Sequence, residues 1–322
     1  MKTASQIIQF TDCGIGESRF LEEALEGLKQ QKKTLPAKFL YDERGSELFE
    51  EITGLQEYYP TRTEIAILER IKKELADLVG PEAALIEFGS GSSRKINILL
   101  QAFENLSVYV PIDISKEFLY ESCLNLSKNH PSLFIHAIAG DYTVPITLPP
   151  LRCRKKTAFF PGSTIGNFNP EEASRFLDTA AGMLDKGDGF LVGVDLKKDT
   201  NILNDAYNDS RGITAEFNLN LLKRMNRELG ADFHIDAFRH HAFYNEEKGC
   251  IEMHIVSKED QTVTISSESI VFKKEESIHT ESSYKYEAAE FQSLALKSGF
   301  AAKKYWTDEN QLFSIHYLEL IE

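Results

Sequence analysis

The sequence predicts an α/β protein built on a doubly wound parallel sheet, with a second, inserted α+β domain. Three observations predict it. From Ala84 onward, apolar runs of strand length alternate with amphipathic segments, the rhythm of a parallel sheet covered by helices. A glycine turn, Glu87-Phe88-Gly89-Ser90-Gly91, closes the first of these runs. The rhythm then breaks after Lys197 and resumes near Ala288, which marks an insertion.

The first expected strand is Ala84 to Phe88, followed by a helix from about Arg94 to Phe103. Val108 to Ile112 is the second strand, ending in Asp113, and a helix runs from about Lys116 to Asn129, where Pro131 limits continuation. Leu133 to Ile138 is the third strand, closed by Gly140-Asp141-Tyr142; Thr157 to Phe160 is the fourth, running into Pro161-Gly162-Ser163-Thr164. Asn169 is an N-cap with Pro170 at the first helical position, and that helix ends near Lys186-Gly187. Gly189 to Asp195 is the fifth strand. The insertion holds a long helix, Ala215 to Leu229, and polar strand-like pieces at Ile251 to Ser257 and Thr262 to Phe272. A helix from about Ala288 to Ser298 and strands Ala301 to Trp306 and Phe313 to Leu320 complete the alternation. The domain expectation is therefore 61–197 plus 287–322 for the sheet domain, and 1–60 plus 198–286 for a second domain sharing a cleft with it.

Bulk properties narrow the function. At 322 residues, with 42% hydrophobic and 27% charged positions, the chain has room for two globular cores. A formal net charge of -14 disfavours a nucleic-acid partner, which needs a basic face, and favours a small molecule. The four cysteines form no CxxC pair and suit a reducing cytoplasm. No signal peptide, membrane span or metal-ligand spacing is evident, and a monomer is the default expectation.

The glycine turn by itself points to an adenosine-containing cofactor. Three details separate a sulfonium cofactor from a dinucleotide. Arg94 stands where the third glycine of GxGxxG belongs. Glu87 brings negative charge that repels a pyrophosphate and suits the cationic methionine end of S-adenosylmethionine (SAM). Asp113, at the tip of the second strand, is placed for ribose hydroxyls, and Asp141 for an adenine amino group. The bland alternative is that both aspartates cap the helices after them. Asn167, in the loop after the fourth strand, is a hydrogen-bonding partner for an amine or carboxylate. Tyr41, Tyr58 and Tyr207 are either core aromatics or cation-facing rings, and Glu281-Ser282-Ser283 reads equally well as a solvated loop.

Longer motifs carry a resemblance. The runs 38–49 (KFLYDERGSELF), 57–64 (EYYPTRTE), 162–167 (GSTIGN), 215–218 (AEFN) and 226–233 (NRELGADF) resemble the histidine-specific Nα-methyltransferases of ergothioneine biosynthesis, from about residue 15 to the C-terminus. The resemblance implies a Rossmann-like class I methyltransferase domain, a substrate-binding lobe, SAM as cofactor, and three methyl transfers to the α-amino nitrogen of L-histidine, giving hercynine. Carried over by motif, Tyr41, Gly89, Lys95, Asp113, Asp141 and Tyr142 fall on cofactor positions. Tyr58, Gly162, Asn167, Tyr207, Met253, Glu281 and Ser283 fall on histidine positions, with Tyr41 and Asn167 nearest the transfer. Asn167 and Tyr207 would hold the amino-acid end, Glu281 and Ser283 the imidazole, and Tyr58 would support the ring. Relatives that methylate other amino acids differ mainly in the ring pocket, and Glu281 with Met253 favours histidine. Pro161 and Tyr142 replace an aliphatic residue and a phenylalanine of some relatives without removing a polar partner. The competing readings are an N-methyltransferase of another amino acid or a histidine derivative, a SAM-binding regulator without turnover, and a nicotinamide oxidoreductase.

Overall fold

The computed structural model describes residues 8–13, 19–90, 93–103 and 105–322; Gly91 of the glycine turn lies outside them. In chain order the chain forms β1 (Ile8–Asp12), α1 (Arg19–Leu28), β2 (Lys33–Thr34), α2 (Glu43–Thr53) and α3 (Tyr59–Val79). The alternation follows as β3 (Ala83–Phe88), α4 (Ser93–Ala102), β4 (Val108–Asp113), α5 (Lys116–Asn129), β5 (Ile135–Ala139), β6 (Lys155–Phe160), α6 (Pro170–Ala181) and β7 (Gly189–Asp195). Then come α7 (Thr200–Tyr207), α8 (Ile213–Leu229), β8 (Phe238–Asn245), β9 (Cys250–Ser257), β10 (Gln261–Ile265), β11 (Glu268–Phe272) and β12 (Ser277–Tyr284). The chain ends with α9 (Ala288–Lys297), β13 (Phe300–Thr307) and β14 (Phe313–Leu320).

The chain divides into two compact units, Met1–Ile15 with Pro60–Lys197 and Lys285–Glu322, and Gly16–Tyr59 with Lys198–Tyr284. The first is the doubly wound unit. Its sheet has the order β1-β5-β4-β3-β6-β7-β14-β13, parallel from β1 to β7, with β14 antiparallel to both its neighbours. Strands β3 and β7 are buried at every position, which explains why they read as unbroken apolar runs. The order reverses between β3 and β6, so the carboxyl ends of these two strands form the switch point where such sheets bind ligands.

The long helix α3 covers this sheet with a stripe of Ile67, Leu68, Ile71 and Leu75, each 5% exposed or less. Helix α6 starts where the sequence places it, with Asn169 accepting from Glu171 N–H and Glu172 N–H and Pro170 at the first position. Residues 8–12 depart from expectation. The sequence rhythm places them with the second domain, yet they pair parallel to β5 as the sheet's edge strand. The period-two signal of IQFTD is too short to identify a strand joined from far upstream.

The second unit holds a four-stranded sheet, β2-β12-β9-β8, and the hairpin β10-β11. Two expectations are corrected here. Thr262 to Phe272 is a hairpin rather than one strand, turning at Ser266, whose φ of 57° lies in the left-handed region. Glu281-Ser282-Ser283 is no loop but the heart of β12. Among the described residues no helix is long and apolar enough to cross a membrane.

Candidate active site

The doubly wound unit gathers one set of the expected residues at the carboxyl ends of its strands. At the end of β3, Gly89 adopts φ 73° and donates its N–H to Ile112 O at 2.8 Å. A side chain there would be strained by the backbone and would meet the Tyr142 ring at 3.7 Å, so glycine keeps this surface open. Ser90 Oγ, next in the turn, is buried without a hydrogen-bond partner among the described residues, a donor suited to a polar ligand at this turn.

Glu87 is 2% exposed, and Tyr109 Oη hydrogen-bonds its Oε2. Burial pushes its carboxyl up to about 8, with the Tyr109 bond and the Lys95 charge pulling back. Burial thus favours the neutral form, where the sequence argument takes Glu87 as a standing negative charge; a cation beside it would favour the ionised form.

Asp113 Oδ1 accepts Ser115 N–H at 2.8 Å. Burial raises its pKa to about 6 against backbone N–H donors at Ser115, Ile114 and Ser90. Asp141 Oδ1 accepts Thr143 N–H at 2.9 Å and Thr143 Oγ1 at 2.5 Å. The cap of α5 is Ser115, and Asp141 is followed by loop, so neither aspartate is a helix cap. Each closes a tight Asx turn at a strand end, which fixes its carboxylate in place. Tyr142 packs against Phe88, Phe160 and Phe176 with ring centroids 5.8–6.0 Å apart, and burial raises its hydroxyl pKa.

At the end of β6 the backbone turns through Gly162 (φ 77°) and Ser163 (φ 57°). Ser163 Oγ accepts Asp195 N–H at 2.8 Å, tying this turn to the end of β7. Half-buried Asn167 ends the 3₁₀ turn Thr164–Asn167. Glu64, from α3, is wholly buried here; its carboxylate accepts Gly162 N–H at 3.0 Å and pairs with Lys95 Nζ at 2.6 Å.

The second unit gathers the others. Asp42 caps α2, accepting Gly45 N–H at 2.8 Å, and also accepts from Asn220 Nδ2 at 2.8 Å. A Cβ on Gly45 would sit 1.8 Å from Leu40 O, so the turn needs glycine. That turn fixes Tyr41, whose ring lies edge-on to Phe49 and Phe217. Phe49 in turn meets Tyr58, and Tyr58 meets Tyr207, at 6.2 and 6.3 Å between centroids. The three tyrosines singled out from sequence thus belong to one aromatic cluster.

Tyr207 Oη donates to Ser283 Oγ at 2.9 Å. On the sheet, Glu281 stands opposite Met253 and Ser283 opposite Ile251, which puts Met253, Glu281 and Ser283 on one face. All three are buried. A bulge between His279 and Glu281 sets this register.

Fully buried Asn218 donates to His240 Nδ1 at 2.9 Å and His254 O at 3.0 Å, and accepts from Thr280 at 2.7 Å. His240 Nε2 then donates to Tyr207 O at 2.9 Å; burial lowers its pKa and keeps the ring neutral. Sequence reasoning missed Asn218, His240 and Glu64 as site-building residues. The available signal for Glu64 was a carboxylate on the apolar stripe 64-67-68-71 of a helix. Among the described residues no group of histidine, cysteine, aspartate or glutamate is arranged for a metal ion.

A reversed-order parallel sheet with this turn and these two aspartates defines a class I, SAM-dependent methyltransferase. The family model described as "Histidine-specific methyltransferase, SAM-dependent" matches residues 20–320, and the chain belongs to that family. It is 38% identical to histidine N-alpha-methyltransferase of Mycolicibacterium smegmatis over 88% of this chain and 89% of that protein. It is 37% identical to histidine N-alpha-methyltransferase of Mycobacterium tuberculosis over 91% of this chain and 92% of that one. Ergothioneine biosynthesis protein 1 of Neurospora crassa is 33% identical over 90% of this chain and 33% of its own length.

Proposed function

We propose that this enzyme transfers methyl groups from SAM to the α-amino nitrogen of L-histidine, in three successive steps that give hercynine, the first stage of ergothioneine biosynthesis. The observation that carries the substrate reading is the buried face on which Glu281, Met253 and Ser283 lie together, with Tyr207 bonded to Ser283. The names of the two mycobacterial relatives and of the fungal ergothioneine protein support the same substrate and pathway.

In this reading the doubly wound unit serves the cofactor. Gly89 gives backbone access, Asp113 accepts from the ribose hydroxyls, Asp141 and Tyr142 border the adenine, and Lys95 meets the methionine carboxylate. SAM supplies an electrophilic methyl group already activated by its sulfonium charge. The protein's work is therefore alignment and exclusion of water. The second unit is the substrate-binding domain and carries Tyr41 and Tyr58. Asn167 and Tyr207 hold the carboxylate and amine. Glu281 accepts the imidazole N–H, Ser283 holds the ring's other nitrogen, and Met253 fills the apolar side. The nucleophile must be a neutral amine, so each of the first two products loses a proton before reacting again. Water receives it, directly or through the Tyr41 hydroxyl, which accepts one proton as it passes its own on to water.

The decisive experiment incubates the protein with SAM and a panel of amino acids and reads products by mass spectrometry. Mono-, di- and trimethylated histidine is the expected series. Methylation of another amino acid in preference to histidine, or no turnover at all, would overturn the reading.

A further inference from the structure

Glu64 is a carboxylate where the helix pattern calls for an aliphatic residue. It lies on the α3 stripe with Ile67, Leu68 and Ile71 and has no exposed surface. A buried ion pair is weak evidence of stabilisation, because desolvating both charges offsets most of their attraction. The surroundings are nonetheless shaped around this one group. Gly193, in the middle of β7, leaves the space that the carboxylate fills, since a Cβ there would lie 2.3 Å from Glu64 Oε1. Both carboxylate oxygens lie 3.0 Å from Gly162 N, and Oε2 lies 2.6 Å from Lys95 Nζ. A Cβ on Gly162 would stand 3.3 Å from that same Nζ, so the lysine head and the glycine backbone are neighbours over one carboxylate.

We propose that Glu64 is a positioning residue that couples the two halves of the transfer site, holding Lys95 toward the cofactor and the Gly162 backbone toward the amino acid. The assignment rests on the roles given above to Lys95 and Gly162. An ammonium has three donors, of which the Glu64 contact uses one, so the carboxylate steers the lysine while leaving donor capacity for a ligand's carboxylate. Gly162 has φ 77°, a conformation that a charge-assisted bond to its N–H stabilises. One side chain from α3 thus sets the end of β6 and the first turns of α4 relative to each other.

Glu64→Gln keeps the shape, loses the charge and retains one acceptor oxygen. Expected are a rise of about tenfold in the Kd for S-adenosylhomocysteine by calorimetry and about tenfold in the KM for histidine, with kcat held within about threefold. A merely structural role would lower the melting temperature and the active fraction, leaving Kd and KM unchanged; that result overturns the proposal. Lys95→Gln separates the two arms. In that background Glu64→Gln is expected to leave S-adenosylhomocysteine affinity unchanged yet still raise the histidine KM, and simple additivity in both would overturn the coupling. Should Glu64→Gln not fold, Glu64→Asp carries the test, because it keeps the charge and withdraws it from Gly162 N–H; an unaltered histidine KM there overturns the proposal. S-adenosylhomocysteine affinity reports the Lys95 arm whatever the methyl acceptor. A wild-type protein that ignores histidine would therefore fail the functional reading without deciding this one.

Discussion

Tyr207 Oη donates to Ser283 Oγ across 2.9 Å, joining the end of α7 to the strand that carries Glu281. Both residues are buried, and His240 Nε2 donates to the Tyr207 carbonyl. The hydroxyl is thus fixed before any ligand arrives. Tyr207→Phe removes that donor and keeps the ring against Tyr58. The expected result is a Kd for histidine raised about tenfold, equivalent to ~1.4 kcal/mol, with little change in the melting temperature. Titration of histidine by calorimetry checks it, and unaltered affinity would remove Tyr207 from the site.

Glu281 supplies selectivity in the proposed pocket. In that pocket a ring that offers Glu281 no donor forfeits a hydrogen bond to a buried acceptor, about 1–3 kcal/mol, so apolar aromatic amino acids are expected to be rejected. Glu281→Ala removes both the partner and the penalty. Histidine binding should weaken, and phenylalanine or tryptophan should become methyl acceptors in the amino-acid panel. If the variant binds histidine as the wild type does, the ring is held elsewhere.

Tyr41 is suited to a clean test of the proton's destination. Its ring is held edge-on by Phe49 and Phe217, so Tyr41→Phe keeps the packing and loses only the hydroxyl. If the hydroxyl relays the amine proton to water, the rate of each methylation step should fall about 100-fold. Single-turnover measurement of each step checks this; unchanged rates assign the proton directly to water.

How much of this was legible follows from where each signal lies in the chain. The alternation from β3 to β7 could be read from the sequence, because β3 and β7 are buried on both faces and α6 opens with a complete capping box; α6 nonetheless ends at Ala181 rather than near Lys186, and β1 and α3 were not read as parts of this unit. The Asp113 and Asp141 positions followed from the strand ends. The second unit was opaque to periodicity. Strand β12 holds His279, Thr280, Glu281, Ser282 and Ser283, a polar run that becomes a buried strand only through its neighbours β9 and β2. No local pattern encodes such a pairing. Glu281 and Ser283 were therefore found through motif resemblance, and their shared face with Met253 only through the register. Glu64 remained hidden because its partners, Lys95 and Gly162, lie 31 and 98 residues away.

Cofactor binding should depend on pH through two groups with a defined sign. Burial raises Glu87 to about 8 and Asp113 to about 6, so both are protonated at pH values where ordinary carboxylates are ionised. A sulfonium favours ionised Glu87, so SAM binding below pH 8 must release a proton, and affinity rises as pH climbs toward 8. Ribose hydroxyls donate best to ionised Asp113, which adds a second loss of affinity below pH 6. S-adenosylhomocysteine lacks the sulfonium charge but keeps the α-ammonium, so it should show the lower step in full and a smaller upper one. For folding the sign is opposite to that of an ordinary ion-paired carboxylate. The native state holds the Glu87 proton more tightly than the unfolded chain, so this group's stabilising contribution declines as pH rises from about 4.5 through 8. Calorimetry of both ligands in buffers of different ionisation enthalpy would show the proton release, and Glu87→Gln should abolish the upper step. A SAM profile that stays flat from about pH 6 to well above 8 would rule the linkage out.

The pair Lys285–Asp195 makes the sharpest stability prediction. Lys285 Nζ lies 2.8 Å from Asp195 Oδ2, with both side chains 1% exposed. Asp195 ends β7 just before the chain leaves the doubly wound unit at Lys197, and Lys285 is where it returns. Backbone bonds run alongside, from Tyr286 N–H to Asp195 O at 3.2 Å and from Lys197 N–H to Tyr286 O at 3.1 Å. Removing one member of such a pair leaves the other charge buried without its counter-charge, a loss of about 3–5 kcal/mol. Lys285→Met should therefore lower unfolding free energy by about 3 kcal/mol in urea titrations. The double variant Lys285→Met with Asp195→Asn should recover most of it. The uncompensated charge is then gone, while the backbone at position 195 still meets Ser163 and Tyr286. If the two substitutions instead add, the pair contributes through packing rather than charge, and the ion pair has no special part in holding the two crossings together.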